Sequence, residues 1–412
     1  MSDLSPAEPR PDHIPESAVY DFDYYRDPGL LDNPHERIRE ILRDAPPVFW
    51  TPRNGGSWVV AGYRENYDAS RDTESFSSDI VPIEDRKALL AFMPGATHMP
   101  LPTPINMDPP NHTIYRAPLQ KAFSPKAMLA RRDEIRELAN ALIDQVIDQG
   151  HCDFIADISE PLPVQVFLKM MGLPVERAME FRGLVHEFMS PMVTPLDPLF
   201  RMRKVADSMK ETIEARRTDP QDDLISLLWS AEIAGKAMTF EVMEDFAVLL
   251  FIAGLDTVIN GMGYGIRHMA ANPDFQQQLR DNPKQIIEAA EELLRRYTFT
   301  VPTRRVARDV ELGGFAMKAG DRLMLFLPAA DLDAREFAVP ENFNLKRENN
   351  VHIAFGVGPH RCLGSHLARI ELQVIYEQML TRLPEFRLDE NRPAKFHGGN
   401  IIAIDSLPIR WD

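Results

Sequence analysis

Apolar positions recur at helical spacing along much of this chain. From about Glu241 to Met269 they include Met243, Phe246, Leu249, Leu250 and Ile252, and the middle of the stretch is apolar on most faces. That pattern predicts a helix buried on nearly all sides. Leu367, Ile370, Val374 and Met379 mark a second helix, from Gly364 to about Leu380. Pro34 to Ala45 is helical in pattern, Ser124 to Gly150 holds one or two helices with a charged, solvated face, and Ser159 to Gly172 is apolar and buried. Asn282-Pro283 opens a further helix, with Asn282 as N-cap and Gln285 at the capping-box position, running to about Tyr297. Strand patterns are fewer: Trp58 to Ala61, and Val310 to Leu327 around Gly313-Gly314 and Gly320-Asp321, a hairpin pattern. The expected fold is mainly α with small β-sheets (α+β).

A length of 412 residues would ordinarily suggest two or three domains. No linker is visible, and the 34 prolines are spread along the chain. The expectation is a flexible leader at 1–18, polar and Pro-rich, followed by a single catalytic domain over 19–412. A formal charge of -16 argues against nucleic-acid binding, which needs a basic footprint. The two cysteines, Cys152 and Cys362, exclude a disulfide framework and fit a reducing cytoplasm. No apolar run approaches the roughly 20 residues of a membrane span, and residues 1–19 have no signal-peptide pattern. A soluble cytoplasmic protein, bound to no membrane, is expected.

The most specific chemistry lies in Phe355-Gly356-Val357-Gly358-Pro359-His360-Arg361-Cys362-Leu363-Gly364. A cysteine sits in a constrained Gly-rich loop just ahead of a helix. A helix N-terminus favours an anion, so Cys362 is placed to be a thiolate. Such a thiolate can be the proximal ligand of a haem iron. For a lone cysteine an inert buried thiol would be the better reading. The two glycines and histidine before it, and the glycine after it, reverse that. The run, F-G-x-G-x-H-x-C-x-G, resembles the haem-ligand signature of the cytochrome P-450 family, the haem-thiolate monooxygenases. The resemblance extends from about Met107 to the C-terminus and is nearest to the bacterial camphor hydroxylase group. It implies haem b held between a long central distal helix and a proximal cysteine loop, with O₂ as co-substrate.

A second constellation is Gly254-Leu255-Asp256-Thr257 in the long apolar helix. A carboxylate there is costly without a partner or a task. Threonine can bond back to the i−4 carbonyl, and Gly254 and Gly261 would let something large approach. A buried Asp–Arg pair is the plain alternative. Beside the cysteine loop, Asp256 and Thr257 resemble the acid–alcohol pair of the family's oxygen-binding helix, which implies proton delivery to bound oxygen. Glu292 and Arg295 form E-x-x-R on one helix face, with Arg347 as third member, and the resemblance makes this triad structural. Positions matching those that hold the haem propionates are His112, Arg116, Arg304 and His360. Arg304 rather than Arg305 follows from its spacing to Glu311–Gly314. Phe355 and Gly364, the ends of the loop, count as cofactor contacts.

One departure concerns the substrate. The camphor group holds a ketone with a tyrosine seven residues before the methionine of M-D-P-P. Here that position is Pro100, and Pro102 replaces an aromatic two residues on. Other positions matching the pocket are Ile105, Leu249, Ile252, Ala253, Thr257, Thr300, Val301 and Ile401, with Asn400 or His98 as a possible polar contact. Such a pocket binds by shape and desolvation. The expectation is a neutral, compact apolar substrate, of terpenoid or norisoprenoid type. The chain has no flavin or iron–sulfur motif, so electrons would come from a [2Fe–2S] ferredoxin reduced by an NADH-dependent flavoprotein. Arg116, Lys121, Arg131, Arg132, Lys346 and Arg347 are candidate docking contacts. A peroxide-driven peroxygenase and a non-catalytic haem-thiolate sensor are the alternatives. The acid–alcohol pair disfavours both.

Overall fold

The computed structural model describes residues 4–80, 90, 98–189 and 196–412. Its axis is a 32-residue helix, Phe240–Ala271, about 48 Å long at 1.5 Å per residue. Thr239 starts it, its side chain accepting the backbone N–H of Val242 at 3.4 Å. Helices Pro161–Met171, Asp197–Thr218 and Ser365–Arg382 pack around this central helix. Near its C-terminal end the small residues serve this packing. A Cβ on Gly261 would stand 3.2 Å from Leu372 Cδ2, and Tyr376 donates from its hydroxyl to the Gly261 carbonyl at 2.8 Å. Gly261 therefore brings the 365–382 helix close and opens no face to a ligand, contrary to the sequence expectation. Gly254 differs, since beyond its own stretch of helix no atom of the described residues lies within 4 Å of where its Cβ would be.

The remainder of the core lies under a five-stranded sheet. Its order is Val48–Thr51, Ser57–Val60, Arg322–Leu325, Thr303–Val306 and Phe76–Ser77. The strand 57–60 runs parallel to 322–325 and the other pairs are antiparallel. Trp58, Val60, Leu323 and Leu325 are buried in this second core. Gly313-Gly314 turns a hairpin as expected, Val310–Leu312 to Phe315–Met317, but the strand after Gly320-Asp321 leaves it to join the large sheet. A smaller hairpin, Lys395–His397 with Ala403–Ser406, lies against the central helix, where Asn260 accepts the N–H of Ile404 at 2.8 Å.

Two sequence expectations need correction. The segment 1–18 is anchored from Ser5 onward. The Ser5 N–H donates to Asp23 at 2.7 Å, Glu8 donates to the Pro52 carbonyl at 2.8 Å, and Ile14 is buried in the sheet core. Polarity alone hid these contacts, because they satisfy backbone groups. Asn282 forms no side-chain cap. It bonds back to the Gln278 carbonyl at 3.1 Å, a short 3₁₀ turn follows at Pro283–Gln285, and the helix begins at Ile286.

That helix, Ile286–Arg296, carries the E-x-x-R pair in full burial. Arg295 donates from Nε and Nη2 to Glu292 at 2.9 Å each, and both residues are 0 % exposed. Arg347 and the Asn344 N–H also bond Glu292, at 3.2 and 3.0 Å. Arg295 further donates to the carbonyls of Asp331 and Pro340 at 2.8 and 2.9 Å. The three residues come together as a tether for the segment 340–347, which leads into the cysteine loop.

Candidate functional site

The cysteine loop is shaped by two glycines. Gly356 and Gly358 have φ of +66° and +74°, a region that L side chains avoid. A Cβ on Gly358 would also sit 2.6 Å from the Ser70 carbonyl oxygen. The loop is closed by the Cys362 N–H, which donates to the Phe355 carbonyl at 2.8 Å. Phe355 in turn lies under Arg369, 4.4 Å from guanidinium carbon to ring centroid. Gly364 is the N-cap of the 365–382 helix, so the thiol stands at a helix N-terminus as expected.

Cys362 is accessible, yet burial is the main influence on its thiol and pushes it up from its usual value. A hydrogen bond from the Gly364 backbone and the charges of Arg116, Arg361 and Arg369 pull it down. A group that is both accessible and desolvated faces an internal cavity. On the central helix Ala253 and Gly254 are exposed in the middle of an otherwise largely buried stretch. A pocket of about 410 Å³ reaches Cys362 past His112, Arg116, Gln120 and Arg361.

Along one side of the site the structure gathers His112, Arg116, Arg304 and His360. The two imidazoles lie against each other with centroids 4.2 Å apart and planes tilted by 48°. Both ring nitrogens of His112 and Nε2 of His360 are buried with no hydrogen-bond partner among the described residues. Burial, with the charges of Arg116 and Arg304, lowers the pKa of His112 to about 4 and that of His360 to about 2. Both rings are therefore neutral at pH 7. Arg304 is lowered to about 10 by burial, and among the described residues it donates to the neighbouring Thr303 carbonyl at 2.7 Å. Arg305, one residue on along the strand, donates instead to the Asp79 carbonyl at 3.2 Å. Arg116 donates to the Arg361 carbonyl. Asp108, the anion whose charge reaches His112 and Arg304, is itself engaged by the Ser77 hydroxyl and the Ser78 N–H, so these desolvated cations and orphaned imidazoles suit a further anionic, acceptor-rich group. The two propionates of haem b have that chemistry, so the residues present fit the cofactor.

On the central helix the Thr257 hydroxyl donates to the Ala253 carbonyl at 3.1 Å, the back-bond anticipated from sequence. Burial pushes Asp256 up to about 6, and its Oδ2 is buried with no partner among the described residues. The plain alternative, a buried Asp–Arg pair, is not formed. Arg182, on the adjoining helix Ala178–Met189, bonds Glu160 at 3.0 and 3.2 Å. The charged groups that influence Asp256 are His397, Asp405 and Glu160. None of these three carries a local motif, so spacing could not have found them.

The residues expected to line a substrate pocket are distributed unevenly. Leu249, Val301 and Pro100 are buried, Pro102, Ile252, Thr300 and Ile401 are half-buried, and Ala253 is exposed to the cavity. Thr300 bridges to Ile401, and the Val301 N–H donates to the Asn400 carbonyl at 2.8 Å, so these four form one contiguous edge. Ile105 is 51 % exposed. His98 is not a free polar contact, because its Nε2 bonds Asp245 at 2.8 Å. Asp245 also accepts from the Leu101 N–H at 3.0 Å and from Thr103 at 3.2 Å, tying 98–103 to the central helix. Several candidate docking cations are committed elsewhere: Arg131 to Glu134, Arg132 to Glu377, and Arg347 to Glu292.

Comparison with known proteins agrees with this arrangement. The family model described as Cytochrome P450 matches residues 178–410. A curated relative, "Probable cytochrome P450 127A1" of Sinorhizobium fredii, is 33% identical over the whole of both chains. "Steroid C26-monooxygenase" of Mycobacterium tuberculosis is 34% identical, covering 89% of this chain and 98% of that protein. Among solved structures, CYP101J2 superposes with a TM-score of 0.87 at 32% identity, covering 98% of this chain and 99% of that one. Cytochrome P450 CYP101C1 gives 0.88 at 29% identity, covering 98% and 100%. Among the described residues no helix is long and apolar enough to cross a membrane.

Proposed function

The chain belongs to the cytochrome P450 family, as a monooxygenase that uses haem b and O₂, and on that premise we propose that it hydroxylates a neutral, compact apolar substrate of terpenoid or norisoprenoid type. In this reading Cys362 would hold the haem iron through its sulfur. His112, Arg116, Arg304 and His360 would hold the propionates, Phe355 and Gly364 would contact the cofactor, and Asp256 with Thr257 would supply protons. Haem b bound in this way supplies the activation of O₂.

The chain's own residues prepare that chemistry. The Gly364 N–H and the charges of Arg116, Arg361 and Arg369 favour the anionic form of Cys362. Thr257 donates its hydroxyl proton to Ala253, which leaves its oxygen lone pairs free to accept from a water. Asp256, pushed up to about 6, exchanges its proton near neutral pH, where a general acid is most effective.

The observation that carries the substrate class is the character of the pocket edge. Pro100, Leu249, Ile252, Val301 and Ile401 are apolar, and His98 is already bonded to Asp245. None of these named residues is a cation that could receive a carboxylate. Titration of the ferric haem spectrum tests this. Terpenoids and norisoprenoids are expected to produce the low-spin to high-spin shift, while benzoates and fatty acids leave it unchanged. The reverse pattern would refute the reading.

Electrons are proposed to come from a [2Fe–2S] ferredoxin served by an NADH-dependent flavoprotein. Support comes from Arg361 and Arg116 beside the Cys362 pocket, and from exposed Lys121 on the adjacent helix Asn111–Ala122. Docking through such charges weakens with salt. A soluble, cytoplasmic setting is proposed with it.

A further inference from the structure

Asp256 must be resupplied with protons if it delivers them, and its Oδ2 is sealed from solvent. Two charged clusters stand near it. The first is Glu160 with Arg182 and His186. Arg182 bonds both Glu160 oxygens, and His186 adds a bond at 2.7 Å, so both oxygens of this carboxylate are already engaged. The second is the ion pair His397–Asp405 on the small hairpin, with Nδ1 to Oδ1 at 2.6 Å. Its side chains are 42% and 46% exposed, so it meets bulk water directly. His397 Nε2 has no hydrogen bond among the described residues.

The hairpin is held in register with Asp256. Asn260 donates from its side chain to the Asp256 carbonyl at 2.9 Å, and its Oδ1 accepts from the N–H of Ile404, the residue before Asp405. Asn260 is 1 % exposed, so this clamp is rigid. The hairpin that carries the solvent-facing imidazole is thereby clamped to the turn of helix that carries Asp256, whose Oδ2 is buried with no partner among the described residues.

We propose that His397, oriented by Asp405, is the solvent-side member of the proton supply to Asp256. The inference rests on the proton-donating role of Asp256 proposed above. His397 takes a proton from bulk water at Nε2 and passes it through water to Asp256 Oδ2. The neutral imidazole is then reprotonated from solvent. Asp405 holds the ring through Nδ1–H and stabilises the imidazolium. The step moves one proton and needs no other reactant. The pKa directions agree: Asp405 and then Asp256 raise that of His397, and His397 lowers that of Asp256. Burial brings Asp256 up to about 6, toward the range in which an imidazole gives up its proton. Glu160 and Asp405 both act against ionisation of Asp256, and among the described residues His397 is the charged neighbour that favours it.

His397 and Asp405 are positioning residues in this scheme, and two independent measurements test it. In the haem-loaded protein with labelled histidine, the NMR titration of His397 is expected to shift to lower pH in Asp256→Asn, and further in Asp405→Asn. In turnover with a surrogate ferredoxin chain, His397→Ala is expected to lower product formed per NADH about fivefold with KM unchanged. Its solvent deuterium isotope effect should rise, and added imidazole should restore coupling. His397→Gln keeps the shape of the site and replaces the alanine variant if that one fails to load haem. Coupling and isotope effect within twofold of wild type in both variants would overturn the proposal, as would a His397 titration indifferent to Asp256. If Asp256→Asn itself leaves coupling intact, the assigned role of Asp256 fails. The NMR linkage is judged separately.

Discussion

Asp256→Asn separates what the buried carboxylate costs the fold from what it does. In the folded chain burial pushes Asp256 from the ordinary 3.8 to about 6. The native state therefore holds this proton over a pH range in which the unfolded chain has lost it. Stability falls as pH rises through that window, and the penalty is complete above about 6. A difference of 2.2 units corresponds to about 3 kcal/mol at pH 7.5 and about 1 kcal/mol at pH 4.5. Asp256 is half-buried, so these figures are ceilings, and solvent screening brings the plateau to about 1–2 kcal/mol. Asparagine is isosteric and has no charge to desolvate. The variant should be more stable than wild type at pH 7.5, by less at pH 4.5, while product formation collapses in favour of peroxide. Urea unfolding followed by tryptophan fluorescence, with both proteins fully haem-loaded, measures the difference. An equal or lower stability of the variant at pH 7.5, or a gap that widens toward acid, would refute the reasoning.

Two further outcomes follow from the scaffold. Glu292→Ala strands Arg295, which is 0 % exposed, and should cost about 3–5 kcal/mol; loss of haem content and of the 450 nm CO band would accompany lower urea stability, and a change under 1 kcal/mol would argue against the tether. Gly358→Ala forces a side chain into φ +74° and onto the Ser70 carbonyl; a cost of about 1–3 kcal/mol is expected, read as lower thermal stability with conversion of the 450 nm CO band to 420 nm.

The cysteine loop was legible because its requirements are local. Positive φ at Gly356 and Gly358, a helix N-terminus after Cys362 and a fixed spacing to His360 are all written within ten residues. Asp256-Thr257 was legible for a similar reason, as polar residues inside an apolar helical period. Gly261 misled because periodicity shows that a helix face is thin but not what fills it, and Leu372 with Tyr376 fills it. Asn282 misled because its amide had a better acceptor one turn back, at Gln278. His98 was readable as a pocket donor until the fold placed Asp245 against it.

The sequence by itself determined the family, and it pointed to the sulfur ligand and the acid–alcohol pair proposed above, since each rests on short-range geometry that neighbouring residues impose. Only the tertiary structure decided which charges surround Asp256. Glu160 lies 96 residues before it in the chain, and His397 and Asp405 lie 141 and 149 after it. Burial and Coulomb attraction depend on distance in space, and a pattern of spacing along one chain carries no record of that distance.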